Sequence, residues 1–170
     1  IDAAVIRFDW RDSVGIGLLL LAIGAAGEEL FVRSYFMQQL GRAMTPTGAI
    51  AATSIVFALL HASNPNTTWI ATLNTALYGG IFGLAVLWHR SLWISFGIHY
   101  AWNCAEALLG ANISGLTIRL TELNLESTGA AWLTGGEYGP EAGLTGTAGA
   151  FAMAAILWFV PRREVKTALL

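Results

Sequence analysis

The chain has 170 residues, of which 55% are hydrophobic and 12% charged, and its net charge is −2. Soluble domains carry about 25% charged residues, so this composition, with a mean hydropathy of +0.59, is that of one membrane-like domain. Nine basic against eleven acidic residues leave no footprint for nucleic acid, and the single cysteine, Cys104, excludes an internal disulfide or a cysteine-based metal cluster.

The first residue is Ile1 rather than Met, which fits a fragment of a longer protein. Residues 1–12 carry Asp2, Arg7, Asp9, Arg11 and Asp12 and read as a mixed-charge interfacial lead-in, not a signal peptide. The first hydrophobic segment runs from about Ser13 to Arg42. It exceeds the ~20 residues a bilayer needs, so it should tilt or project beyond the membrane at its Gln38–Arg42 end. Thr45-Pro46 restarts the chain, because proline suits a first helical turn. The second segment, Thr47 to Ala62, ends in the turn signal Ser63-Asn64-Pro65-Asn66.

A third segment, about Thr67 to His89, contains Gly79 and Gly83 at a small-xxx-small spacing that favours close helix packing. The fourth runs from Leu92 to about Leu109. Residues 111–143 are too polar to span; Thr117 to Leu125 alternates like a short strand, and amphipathic interfacial structure fits it equally well. The turn-rich run from Thr134 to Glu141 carries Glu137 and Glu141. The last segment, Leu144 to Val160, is stopped by Pro161-Arg162-Arg163.

The expected fold is therefore all-α: a polytopic integral membrane bundle of about five hydrophobic helices, with a polar loop before the last. Its parts are an N-terminal segment (1–12), a four-helix core (13–110), the loop (111–143) and a final helix with a basic tail (144–170). Arg42, Arg90, Arg162, Arg163 and Lys166 fall on one side, against Arg7, Arg11 and Arg119 on the other, a weak positive-inside bias.

Ionisable groups inside membrane helices are costly, about 2.5–3.5 kcal/mol each at a helix centre on insertion scales. Gly27-Glu28-Glu29-Leu30-Phe31-Val32-Arg33 places two carboxylates and an arginine inside the first segment. Glu29 and Arg33 are i,i+4 and read as a structural ion pair. Glu28 is rotated about 100° away, with Val32 at its own i+4, and so is free to act beyond its helix.

The other intramembrane polar groups are His61, with Phe57 at i−4 to wall its ring, and His99 with Asn103, i,i+4 on one helix. Glu106 extends that last stripe, and Asn74 with Tyr78 forms a polar pair on the third helix; for Glu106 and Asn74 packing is the preferred reading. Glu28 precedes Arg42 by fourteen residues and His61 follows Pro46 by fifteen, so both lie ~21–22 Å along antiparallel neighbours. His99, nine residues past Arg90, lies ~14 Å along its own helix. A shared pocket of Glu28, His61, His99 and Asn103 is feasible, and an unpaired carboxylate beside imidazoles in a dry cavity is a site hypothesis by its energetics.

Glu28-Glu29-Leu-Phe-Val-Arg33 resembles the EExxxR motif of the CAAX prenyl protease type II family, also called CPBP or Abi intramembrane proteases. Phe57-Ala-Leu-Leu-His61 is similar to its FxxxH motif and His99-Tyr-Ala-Trp-Asn103 to its HxxxN motif. The order and spacing agree over about Ala25 to Leu108, with Val32 and Ser34 standing where many members carry an aromatic and a glycine.

The resemblance implies a metal-independent, glutamic-type membrane endopeptidase, with 13–110 as its catalytic core. Glu28 and His61 would activate a water, His99 and Asn103 would hold the oxyanion, and Glu29, Arg33 and Phe57 would support them. It implies no cofactor and a bacterial cytoplasmic membrane. A conical cavity lined by Trp93, Phe96, Trp102 and Phe57 would suit an apolar or lipidated peptide substrate. Two alternatives stay open. One is a zinc peptidase using Glu28, His61 and His99 as ligands. The other is a non-catalytic protein, such as a bacteriocin self-immunity or scaffolding factor that binds a peptide in the same place.

Overall fold

The computed structural model describes residues 7–162. A short strand β1 (Arg7–Asp9) leads into the first long helix, which comprises α1 (Val14–Glu29), a π-helical stretch (Leu30–Phe36) and α2 (Met37–Ala43) without a break. After it come α3 (Pro46–His61), α4 (Trp69–His89), α5 (Leu92–Leu109), strand β2 (Thr117–Arg119), the single turn α6 (Ala131–Thr134) and α7 (Leu144–Phe159). The architecture is the expected helical bundle. Two helices, Arg11–Ala43 and Trp69–His89, are long and apolar enough to cross a membrane, while α3 and α7 are shorter.

Local chemistry sets the boundaries. The Thr45 side chain accepts from Gly48 N at 3.1 Å with Pro46 in the first turn, and Thr68 accepts from Ala71 N at 3.1 Å, capping α3 and α4. Gly110 ends α5 at φ +75°, where an added Cβ would fall 2.0 Å from the Leu123 carbonyl oxygen. The α3–α4 pair is close at the two expected glycines. A Cβ at Gly79 would lie 3.1 Å from Ser54 Cα, and one at Gly83 would lie 2.9 Å from Ile50 Cγ2.

The π-helical stretch was not expected from the sequence, because Leu30 to Phe36 contains no glycine or proline to mark it. Such segments close i→i+5 hydrogen bonds and are often found at functional sites. Here it begins directly after Glu29 and carries Arg33 into the interior.

The N-terminal segment and the polar loop meet. β1 and β2 form a parallel two-stranded ribbon, Arg7 opposite Thr117 and Asp9 opposite Arg119. Of the run from Thr117 to Leu125, only the first three residues are strand. Arg11 donates to both oxygens of Asp9 and to Glu122 at 2.8 Å, and this hydrogen bonding holds the Asp9 carboxyl down to about 2. At the opposite end, the Arg162 guanidinium lies over Trp88 at 4.1 Å and Trp158 at 4.5 Å. Asp2, Arg163 and Lys166 lie outside the described residues.

Candidate active site

The two adjacent glutamates point different ways. Glu29 and Arg33 are fully buried, with Arg33 Nη1 3.3 Å from Glu29 Oε1. Arg33 also donates to the Gly79 carbonyl at 3.2 Å and lies 4.3 Å over the Phe57 ring and 5.4 Å from that of Phe82. Close approach of the backbone at Gly79 makes the first of these bonds available. Glu29 accepts two further bonds, from Ser95 Oγ at 2.5 Å and from His99 Nδ1 at 3.0 Å. Its carboxylate thus ties α1 to α5.

Glu28 faces the cavity. Its Oε2 is buried without a hydrogen-bond partner among the described residues, 3.9 Å from His61 Nε2 and 3.8 Å from His99 Nε2. Those distances exceed a direct hydrogen bond; a water bonded to both groups at ~2.8 Å each would span about 4.4 Å, so side chains moving apart by about half an ångström would admit one.

Both imidazoles are oriented through their other nitrogen. His61 Nδ1 lies 2.8 Å from the Phe57 carbonyl oxygen. A carbonyl only accepts, so Nδ1 carries the proton, and Nε2 of the neutral ring is an acceptor aimed at Glu28. His99 Nδ1 donates to the carboxylate of Glu29 in the same way. The rings are walled as well: Phe57 sits 4.6 Å from His61, and Phe82 stacks on His99 at 4.9 Å with planes 16° apart.

Glu28, His61, His99 and Asn103 all line one cavity of about 390 Å³. Among the described residues no group of three or more His, Cys, Asp or Glu side chains is placed to hold a metal ion. Phe57 and Trp102 also line this cavity, whereas Trp93 and Phe96 do not. Trp93 is 79% exposed and packs edge-on against Phe96. Trp93 lies ~120° around α5 from His99, and Phe96, a turn before His99, is stacked on Tyr100 instead, ring centroids 5.7 Å apart.

Asn74 donates to the Glu141 and Gly143 carbonyls at 2.7 and 2.9 Å, and the Tyr78 hydroxyl donates to Gly146 O at 2.8 Å. These bonds fasten α4 to the loop and α7. Glu106 is buried, and among the described residues neither of its carboxyl oxygens has a hydrogen-bond partner.

A family model described as type II CAAX prenyl endopeptidase, Rce1-like, matches residues 10–105. The chain belongs to that family. No curated protein and no solved structure matches it. The type II CAAX prenyl endopeptidases are membrane-embedded, so at family level this chain is an intramembrane peptidase.

The matched region of this family member contains Glu28, His61, His99 and Asn103 and the helices that carry them, all but the last turn of α5. The facing wall of the cavity does not belong to it: Ile113, Ser114, Leu116, Ile118 and Glu141 come from the loop beyond the match.

Three members of the arrangement escaped the sequence reading. Ser95 precedes His99 by four residues, so the His99–Asn103 stripe extended one turn back would have found it. Phe82 lies four residues beyond Tyr78, so the Asn74–Tyr78 pair extended one turn would have found it too; Glu141 was visible as a loop carboxylate, but a loop without periodicity gives no sign that it reaches the cavity.

Proposed function

We propose that the chain is a glutamic-type intramembrane endopeptidase that hydrolyses peptide bonds of apolar or lipidated peptides without a metal ion, in the cytoplasmic membrane of a bacterium. One observation carries the mechanism: a buried carboxylate oxygen of Glu28 faces Nε2 of both His61 and His99, while each ring's Nδ1 is already engaged. Carboxylate and neutral His61 are both acceptors, so a water donating to each satisfies both and keeps its oxygen free to attack.

In the first step the water oxygen bonds to the scissile carbonyl carbon, Glu28 takes the proton, and the carbonyl oxygen becomes an oxyanion. Asn103 Nδ2 and His99 Nε2 would hold that oxyanion, preorganised donors being worth about 3 kcal/mol each in such intermediates. Because His99 Nδ1–H is committed to Glu29, Nε2 can donate only when the ring is an imidazolium. Collapse of the tetrahedral species breaks the C–N bond, and the proton held by Glu28 passes to the departing amine. Leu21, Phe31, Val32, Leu60 and Phe82 give the cavity its apolar lining, which suits the proposed substrates.

The test is cleavage of membrane-presented peptides by purified protein in lipid. Glu28→Gln and His61→Ala should each lower kcat by roughly 10²–10⁴-fold, and Asn103→Ala by roughly 10²–10³-fold. Exhaustive chelation should leave the rate unchanged. Wild-type-like cleavage by Glu28→Gln would remove the assignment. Loss on chelation with recovery on adding zinc would replace it by the zinc mechanism, and no turnover of any peptide would favour a binding protein.

A further inference from the structure

Glu141 comes from the loop beyond the family match, yet its side chain enters the same cavity as Glu28. It is almost fully buried. Its Oε2 accepts from Ser114 N at 2.9 Å and Ser114 Oγ at 2.6 Å, and its Oε1 accepts from Trp102 Nε1 at 3.2 Å. Its backbone carbonyl accepts from Asn74 at 2.7 Å. Side chain and main chain are thus both fixed, so the carboxylate is held in place before anything binds.

All three of the donors on that carboxylate are neutral. Among the described residues Glu141 makes no ion pair, and no lysine or arginine lines the cavity. The chamber therefore presents two carboxylates, Glu28 and Glu141, with the uncharged indole, hydroxyl and amide groups around the second leaving its charge uncompensated. A buried charge of this kind is costly without an opposite partner. Fastening the loop uses both oxygens as acceptors, two bonds on Oε2 and one on Oε1, and every one of those donors is neutral, so the net charge itself is left for a ligand.

We propose that Glu141 sets the specificity of the cavity, which takes apolar peptides carrying one cationic side chain, lysine or arginine, near the bond to be cut. The site is the one under the endopeptidase reading, and the inference rests on that reading for the cleavage step after binding. One N–H of the cation bonds to the lone pair that Glu141 Oε1 keeps free beside Trp102, and the peptide's apolar residues fill the remaining volume. Neutral peptides lose this charge-assisted bond, and acidic ones meet like charge.

The probe is a set of apolar peptides identical except for Lys, Gln or Glu at one position, with that position moved along the peptide. Binding is measured in nanodiscs to the full chain carrying Glu28→Gln, which suppresses turnover and leaves Glu141 to carry the charge effect. At one register the Lys peptide should bind roughly ten- to a hundredfold more tightly than the Gln peptide, the range of a charge-assisted hydrogen bond. The Glu peptide should bind most weakly. Adding Glu141→Gln should bring Lys and Gln peptides to nearly equal affinity, and Glu141→Asp should keep the order.

Equal binding of all three peptides at every register in the Glu28→Gln protein overturns the proposal, whatever happens to the Glu141 variants. So does a Lys preference that survives Glu141→Gln. A Glu141-dependent preference in a protein whose wild-type form cleaves none of the peptides supports the inference and removes the endopeptidase reading instead.

Discussion

Arg33 reaches the interior because three things receive it: the carboxylate of Glu29, the bare backbone at Gly79 and the faces of Phe57 and Phe82. Removing one partner of a buried pair strands the other charge, at a cost of about 3–5 kcal/mol. Arg33→Ala should therefore destabilise the fold by about that much, read from unfolding in detergent against wild type. Arg33→Lys should cost less than Arg33→Ala, since it keeps the charge, but it should not be neutral, because an ammonium lacks the planar fork that stacks on Phe57. Arg33→Ala within about 1 kcal/mol of wild type, well short of that range, would mean that Glu29 takes its stability from Ser95 and His99 alone. The spacing of Glu29 and Arg33 was enough to foresee the pair, and that of Glu28 enough to see it had no partner on its own helix. The second engagement of His99 through Nδ1 was not legible, because nothing in the periodicity of α5 says which nitrogen faces which neighbour.

At the scale of elements, the same logic separates two glycines that look alike in sequence. A methyl at Gly83 would meet the side chain of Ile50, 2.9 Å from Cγ2, whereas a methyl at Gly79 would meet the backbone of Ser54 and the guanidinium of Arg33 at 3.1 and 3.3 Å. Overpacking of this kind costs about 1–3 kcal/mol. Gly83→Ala should be destabilising and largely rescued by Ile50→Ala, which removes the obstructing carbons. Gly79→Ala should be destabilising without rescue from Ile50→Ala, and it should also lower activity because it disturbs Arg33 beside the candidate site. A double-mutant cycle on unfolding free energy checks the pairing, and additivity of Gly83→Ala with Ile50→Ala would refute it. The helices themselves were legible to within a residue or two from their apolar runs and caps. What joins them was less so. The π-helical stretch after Glu29 arises with no breaker residue, and the β1–β2 ribbon pairs segments more than a hundred residues apart, beyond the reach of any local pattern.

Taken whole, the bundle turns apolar side chains outward along its length: Leu19, Ile23, Leu59, Leu73, Phe151 and Ile156 are all more than half exposed. A surface of that kind is stable against lipid tails and unstable in water. Its two ends differ in chemistry. Arg42, Arg90 and Arg162 lie at the ends of α2, α4 and α7 on one side, while Asp9, Arg11, Glu122 and Glu137 gather with the loop on the other. The loop also supplies one wall of the cavity, so the cavity lies toward the loop's end of the bundle. A membrane-impermeant thiol reagent distinguishes the ends. In a background with Cys104→Ala, cysteines placed at Arg90 and at Glu126 should label from opposite faces of sealed vesicles, each protected until the membrane is opened when it lies inside. If both label from the same face, the long axis of the bundle does not cross the membrane. The apolar belt would then have to be covered by another protein, and the cavity would open along the membrane plane instead of through it.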